Sequence, residues 1–160
     1  MIERRASRVL LIAAESVLLI RGCDPGRSEA GWWWLTPGGG IDDGESVGDA
    51  AVREVFEETG FRLHPDQLGP VVATRVAEFE FDGRAFRQAE SFFAVEVATF
   101  AAGSTGWDEL EQRSLSEHRW WALDELSATD ETVYPRELAS LVRAVLGGRI
   151  TSPLELGGDE

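Results

Sequence analysis

The segment PGGGIDDGESVGDAAVREVFEETGF, residues 37–61, dictates its own local structure. Three glycines free the backbone to approach a partner closely. Ser46 then offers a hydroxyl as an N-cap, with Asp49 three residues on in a capping-box-like arrangement. The pattern predicts a helix over Val47–Thr59, ended by Gly60 as a left-handed stop. This helix carries Glu54, Glu57 and Glu58, which at about 100° per residue share one sector of its surface. Like charges at such spacings cost a helix a few tenths of a kcal/mol per pair, roughly. Glutamates on a helix are ordinarily just a solvated face. Here Ala51 and Val55 sit beside the Glu54–Glu58 edge, so the carboxylates border the buried stripe. Carboxylates converging at a core boundary suit a divalent cation, and magnesium takes one or two of them together with substrate phosphate.

Composition narrows the partners. The 160 residues predict one domain over 1–150, with a loose tail over 151–160. Apolar residues make up 43% and charged residues 28%, as in an ordinary globular protein. Fifteen basic residues against 29 acidic ones give a net charge of −14, which repels nucleic acid and anionic membranes. A phosphate-bearing partner therefore needs local neutralisation. All fifteen basic residues are arginine, so no lysine is present to make the glycine run a Walker A loop. Cys23 is the only cysteine, which predicts no internal disulfide and a reducing cytoplasm. With His64 and His118 as the only histidines, zinc is disfavoured and any metal should be hard and oxygen-bound. "IDDGES" lacks the ligand spacing of a calcium loop. The run "VLLIAA" is shorter than a signal core, and nothing reaches a membrane span.

Along the chain, strands are predicted near Arg8–Ala13 and Val17–Arg21, then in "VVATRVAEFEF" and "RAFRQAESFFAVEV" around an Asp82-Gly83 hairpin turn. A polar loop over about residues 101–117 leads to a strand at "HRWWAL", a helical turn at "LDEL" and an amphipathic closing helix in "PRELASLVRAVLGG". Strands mixed with helices and joined partly by hairpins predict a mixed sheet packed between helices.

Gly39, five residues, Glu45, seven residues, then Arg53-Glu54-Val55-x-Glu57-Glu58-x-Gly60-Phe61 resembles the signature of the Nudix hydrolases at every specified position. The resemblance implies an α/β/α sandwich around a mixed β-sheet, and Mg²⁺- or Mn²⁺-dependent hydrolysis of a nucleoside diphosphate linked to another moiety. It further implies that Glu54, Glu57 and Glu58 ligate metal, with the backbone carbonyl of Gly39 as a further ligand. Glu45 would act through water or by pairing with Arg53, which orients the helix glutamates. Glu57 or Glu54 would serve as base. Members often form homodimers, and many supply one more glutamate from a loop. Glu111 is the first candidate for that role and Glu117 the second, with Glu109 and Glu90 behind them, although loop glutamates are usually just solvated.

The substrate markers of the family's NADH, dinucleoside polyphosphate, ADP-ribose and coenzyme A branches are missing. Elimination leaves a nucleoside triphosphate pyrophosphohydrolase, including one for oxidised or noncanonical nucleotides. Alternatives are an ADP-ribose or nucleotide-sugar pyrophosphatase and, from another class, a non-catalytic nucleotide sensor. Arg75, Arg87 and Trp34 are the candidate substrate contacts; Arg84 is a further one. Surface pairing of the arginines with Glu78, Glu80 or Glu90, and core packing of the tryptophan, are the ordinary alternatives. Trp32, Trp33 and Trp34 alternate faces if extended, so at least one points away from the core.

Overall fold

The computed structural model describes residues 1–158. The chain runs β1 (Ile2–Ala13), β2 (Ser16–Cys23), β3 (Trp32–Leu35), β4 (Gly38–Gly40), α1 (Val47–Thr59), β5 (Ala73–Phe81) and β6 (Arg84–Glu96). It continues with α2 (Glu109–Ser114), β7 (Leu115–Ala122), α3 (Leu123–Ala128), β8 (Val133–Tyr134), α4 (Leu138–Leu146) and β9 (Leu154–Glu155). The strands form one mixed sheet in the order β8-β3-β2-β1-β6-β5-β9, with β4 also beside β1 and β7 beside β2.

The run VLLI in β1 is apolar at every position because both faces of the strand are covered. Val9 and Leu11 join Ala51 and Val55 of α1 on one face. Leu10 and Ile12 join Leu123 of α3 and Leu138, Leu141 and Val142 of α4 on the other. The result is the expected sandwich, with a mixed sheet between helices.

The sheet is forked, and the fork makes the site. β1 and β2 pair only beside their turn, at Ile12–Val17 and Ala13–Ser16. Beyond it β1 turns its freed edge to β4, pairing Ala6–Arg8 with Gly40–Gly38, while β2 pairs Ile20–Cys23 with β3. The polar first half of β1, outside the predicted strand, is held by a parallel ladder to β6 from Ile2–Phe86 to Ile12–Glu96. Opposite the fork, buried Asp24 accepts hydrogen bonds from the Gly26 and Asp82 N–H groups at 2.8 and 2.9 Å, tying the 24–27 loop to the β5–β6 turn.

Two expectations are corrected. The polar loop contains α2, started by Asp108, whose side chain caps Glu111 N–H. The tail is not loose from Thr151: Leu154 and Glu155 form β9, parallel to Ala73 and Thr74 of β5, and Leu156 N–H reaches Thr74 O. Residues 159–160 of that predicted tail lie outside the described residues. Among the described residues, no helix is long and apolar enough to cross a membrane.

Candidate active site

Helix α1 is built as its caps dictate. Ser46 Oγ accepts from Asp49 N–H at 3.0 Å, and Gly60 ends the helix at φ 80°. Its glutamate edge faces β4. Arg53 organises this edge as a hub: Nε and Nη2 grip the two oxygens of Glu45 at 2.8 Å each. Nη1 donates to Glu54 at 2.9 Å and Glu57 at 3.2 Å, and Nη2 to Gly40 O at 3.0 Å. One planar cation thus ties three carboxylates to the glycine strand. Its hydrogen bonds, with that from Asp42 N–H, hold the Glu45 carboxyl down to about 2.

Glu54 and Glu58 are buried, with 8% and 4% of their surface exposed. Glu58 Oε1 accepts from Gly38 N–H at 2.9 Å. A Cβ on Gly39 would stand 2.8 Å from the Glu54 carboxylate, so only glycine lets β4 lie against that group. Glu111 of α2 completes the cluster: one oxygen each from Glu54, Glu58 and Glu111 lie within 4.8 Å of one another.

The 101–117 loop reaches this position through α1's last turn. Trp107 Nε1 donates to Glu58 O at 3.0 Å, and His118 Nε2 lies 2.7 Å from the same carbonyl. Three carboxylates brought together resist ionisation. Burial raises the pKa of Glu54 despite Arg53 beside it, and burial with the Glu54 charge raises that of Glu58 well above the usual range. Burial, with nearby Asp108, Glu54 and Glu57, pushes Glu111 up to about 7, against the hydrogen bond from Asp108 N–H. The donors are all hard oxygens. Cys23 and both histidine rings lie outside the cluster. This donor set fits Mg²⁺ or Mn²⁺ and fits no thiolate- or imidazole-seeking metal.

The cluster lies at one end of a cleft of about 840 Å³, of the size that takes a nucleotide-sized ligand. Arg75 lines this cleft but is engaged by Glu90 at 2.8 Å and by Gly157 O at 3.0 Å. Glu90 also lines it and is no free ligand, since Arg8, Arg75 and Gln88 all donate to it.

Other candidates fall elsewhere. Trp34 is in the core, 4% exposed, edge-on to Trp121 at 5.3 Å with its Nε1 on Glu131; its neighbours Trp32 and Trp33 line the cleft. Arg87 lies outside the cleft, 4.0 Å from Glu78, because β6 turns its alternate residues Phe86, Gln88 and Glu90 toward the ligand space. Glu117 is half-exposed and pairs with Arg21 at 3.3 Å, away from the cluster. Glu57 is 39% exposed at its side chain and held by Arg53, outside the group of three. Sequence reasoning passed over Arg4, Arg8 and Gln88 in the cleft floor; their only signal was polar residues interrupting strands.

Residues 3–142 match the profile of the NUDIX domain. A putative 8-oxo-dGTP diphosphatase of Bacillus subtilis is 42% identical over 53 residues, which cover 33% of this chain and 32% of that protein. An RNA pyrophosphohydrolase of Shewanella denitrificans is 48% identical over 42 residues, covering 26% of this chain and 23% of that protein. The chain thus spans between 23% and 32% of the length of these relatives. The solution structure of the E. coli ORF135 protein has the same fold, with a TM-score of 0.63 at 20% identity over 95% of this chain and 96% of that one. With the profile matched over residues 3–142 and the glutamate helix, arginine hub and glycine strand assembled around one cleft, the chain belongs to the Nudix family.

Proposed function

We propose that this protein is a divalent-metal-dependent hydrolase of a pyrophosphate bond, acting on a nucleoside triphosphate, including oxidised or noncanonical ones. The observation that carries it is the convergence of Glu54, Glu58 and Glu111 within 4.8 Å at the end of a nucleotide-sized cleft. Glu54, Glu58 and Glu111 would hold Mg²⁺ or Mn²⁺, with the Gly39 carbonyl as a further candidate ligand. Bound there, the metal would neutralise the pyrophosphate and lower the pKa of a water. Arg53 keeps Glu54 and Glu57 in place and ties them to Gly40. The attacking water's proton passes to a carboxylate oxygen of Glu57 or Glu54. A cytoplasmic setting fits the lone Cys23, and assembly as a homodimer is a further expectation, read by light scattering.

The identity to the putative 8-oxo-dGTP diphosphatase supports the triphosphate choice. Removal of pyrophosphate from RNA 5′ ends is a second reading, favoured by the 48% identity to an RNA pyrophosphohydrolase. The net charge of −14 opposes it, since a long polyanion would meet repulsion beyond the metal site. The test is a hydrolysis panel with Mg²⁺ or Mn²⁺: ordinary and oxidised nucleoside triphosphates, ADP-ribose, nucleotide sugars and 5′-triphosphate RNA. Pyrophosphate release from triphosphates, lost in Glu57→Gln, is the expected result. Preference for ADP-ribose or nucleotide sugars overturns the substrate choice. Nucleotide-dependent thermal stabilisation with no hydrolysis of any member overturns the enzyme in favour of a sensor.

A further inference from the structure

The cleft floor beyond Glu54 is one hydrogen-bonded chain. Arg8 Nε and Arg75 Nη1 donate to the two oxygens of Glu90 at 3.1 and 2.8 Å, and Gln88 Nε2 donates to Glu90 at 2.8 Å. With its amide nitrogen so engaged, Gln88 turns Oε1 the other way, where it accepts from Arg4 Nε. Arg4 and Gln88 are also register partners in the β1–β6 ladder. Gln88 and Glu90 are 1% and 5% exposed, so this chain is fixed in place. The Arg4 guanidinium rests over the Phe86 ring at 4.5 Å, and Arg84 approaches the same ring at 5.6 Å.

Among the described residues neither Arg4 nor Arg84 contacts a carboxylate. Burial lowers the pKa of Arg4, the charges of Arg8 and Arg84 push the same way, and those of Glu90 and Glu54 oppose them. Arg4 is exposed at the cleft, yet Gln88 holds its Nε and Phe86 its guanidinium face, so its terminal N–H groups, unengaged among the described residues, present a fixed edge suited to an anion. A phosphate matches both the paired N–H groups and the charge of the guanidinium, whereas a neutral nucleobase edge matches only the hydrogen bonds.

We propose that Arg4, aligned by Gln88 and assisted by Arg84, is a second phosphate subsite, for a phosphate group of the substrate other than the pyrophosphate held at the glutamate cluster. This rests on the pyrophosphohydrolase reading. The phosphate belongs either to an ester on the sugar or to the far end of a longer polyphosphate chain.

The test is equilibrium binding with Mg²⁺ in the Glu57→Gln background, where hydrolysis is expected to be lost, read by tryptophan fluorescence, since Trp32 and Trp33 line the cleft. Binding is read and turnover is not needed, so a protein that hydrolyses nothing still answers the question. Two matched pairs are compared: adenosine 3′,5′-bisphosphate against AMP, and ATP against ADP. In one pair the extra phosphate is expected to tighten binding about tenfold. Preference for the bisphosphate names the sugar ester, and preference for ATP names the polyphosphate chain. Arg4→Gln is expected to reduce that ratio to about twofold or less, and Gln88→Leu, which keeps the arginine but removes its anchor, to lie between. Arg143→Gln, on α4 and away from Arg4, is expected to leave the ratio unchanged. Equal affinity within both pairs, or a ratio that survives Arg4→Gln, overturns the proposal. So does a ratio lost equally in Arg143→Gln, which would make the effect one of overall charge.

Discussion

The identity of single residues decides the cluster. Gly39 is the sharpest case, because any side chain there must displace the Glu54 carboxylate 2.8 Å from its Cβ position. Gly39→Ala is expected to weaken Mn²⁺ binding about 10–100-fold, measured by titration, while the unfolding midpoint changes little. Unchanged Mn²⁺ affinity would remove Glu54 from the site. Glu111 gives a pH test in the metal-free protein. Burial and the neighbouring carboxylates push its carboxyl up to about 7 in the folded chain, from an ordinary value of 4.5, so between these values the folded chain binds more protons than the unfolded one. Stability should therefore fall as pH rises through that window. Glu111→Gln keeps the acceptor for Asp108 N–H and removes this dependence. In EDTA, urea unfolding at about pH 5 and pH 7.5 should show a wild-type loss on the order of 1 kcal/mol more than the variant's, after allowing for solvent screening. Parallel behaviour of the two proteins would mean that Glu111 is not held against the other carboxylates.

Elements bring these residues together, and here the sequence was unevenly legible. The α1 signature was readable because one helix fixes the spacing of Arg53, Glu54, Glu57 and Glu58, and Ser46 and Gly60 mark its ends. The Glu111 placement depends on contacts 49 and 60 residues apart in sequence, those of Trp107 and His118 with the Glu58 carbonyl, which no local pattern announces. Strand parity defeated two other expectations. Three consecutive tryptophans give no sign of which faces the core, and Arg87 differs from Gln88 only in the alternation of β6. The loop anchor has its own test. Trp107→Phe keeps most of the packing and deletes the hydrogen bond to Glu58 O. Stability should fall by about 1 kcal/mol in denaturant melts, while hydrolysis falls about tenfold or more through misplacement of Glu111. A stability loss with full activity would show that the anchor serves folding alone.

At the scale of the whole molecule, the fork between β1 and β2 joins the glutamate cluster to the floor of the cleft. Freed from β2, the edge of β1 takes β4, which carries Gly39 to Glu54, and the polar half of β1 extends beside β6 to form the floor. The sandwich was legible from alternating strands and amphipathic helices. The fork was not, because it depends on a parallel pairing of segments 84 residues apart, such as Arg4 with Gln88. Net charge of −14 sets the molecule's need: a pyrophosphate can settle beside these glutamates only with its charge, and theirs, cancelled by metal. The most direct test is the Mg²⁺ dependence of nucleoside triphosphate hydrolysis in the wild type and in Glu58→Gln, which retains an acceptor for Gly38 N–H. The wild type is expected to require Mg²⁺, and the variant to lose at least about a hundredfold in rate at saturating metal while unfolding cooperatively. Equal rates in the two proteins, or hydrolysis that persists in EDTA, would contradict a metal-dependent site built on these carboxylates.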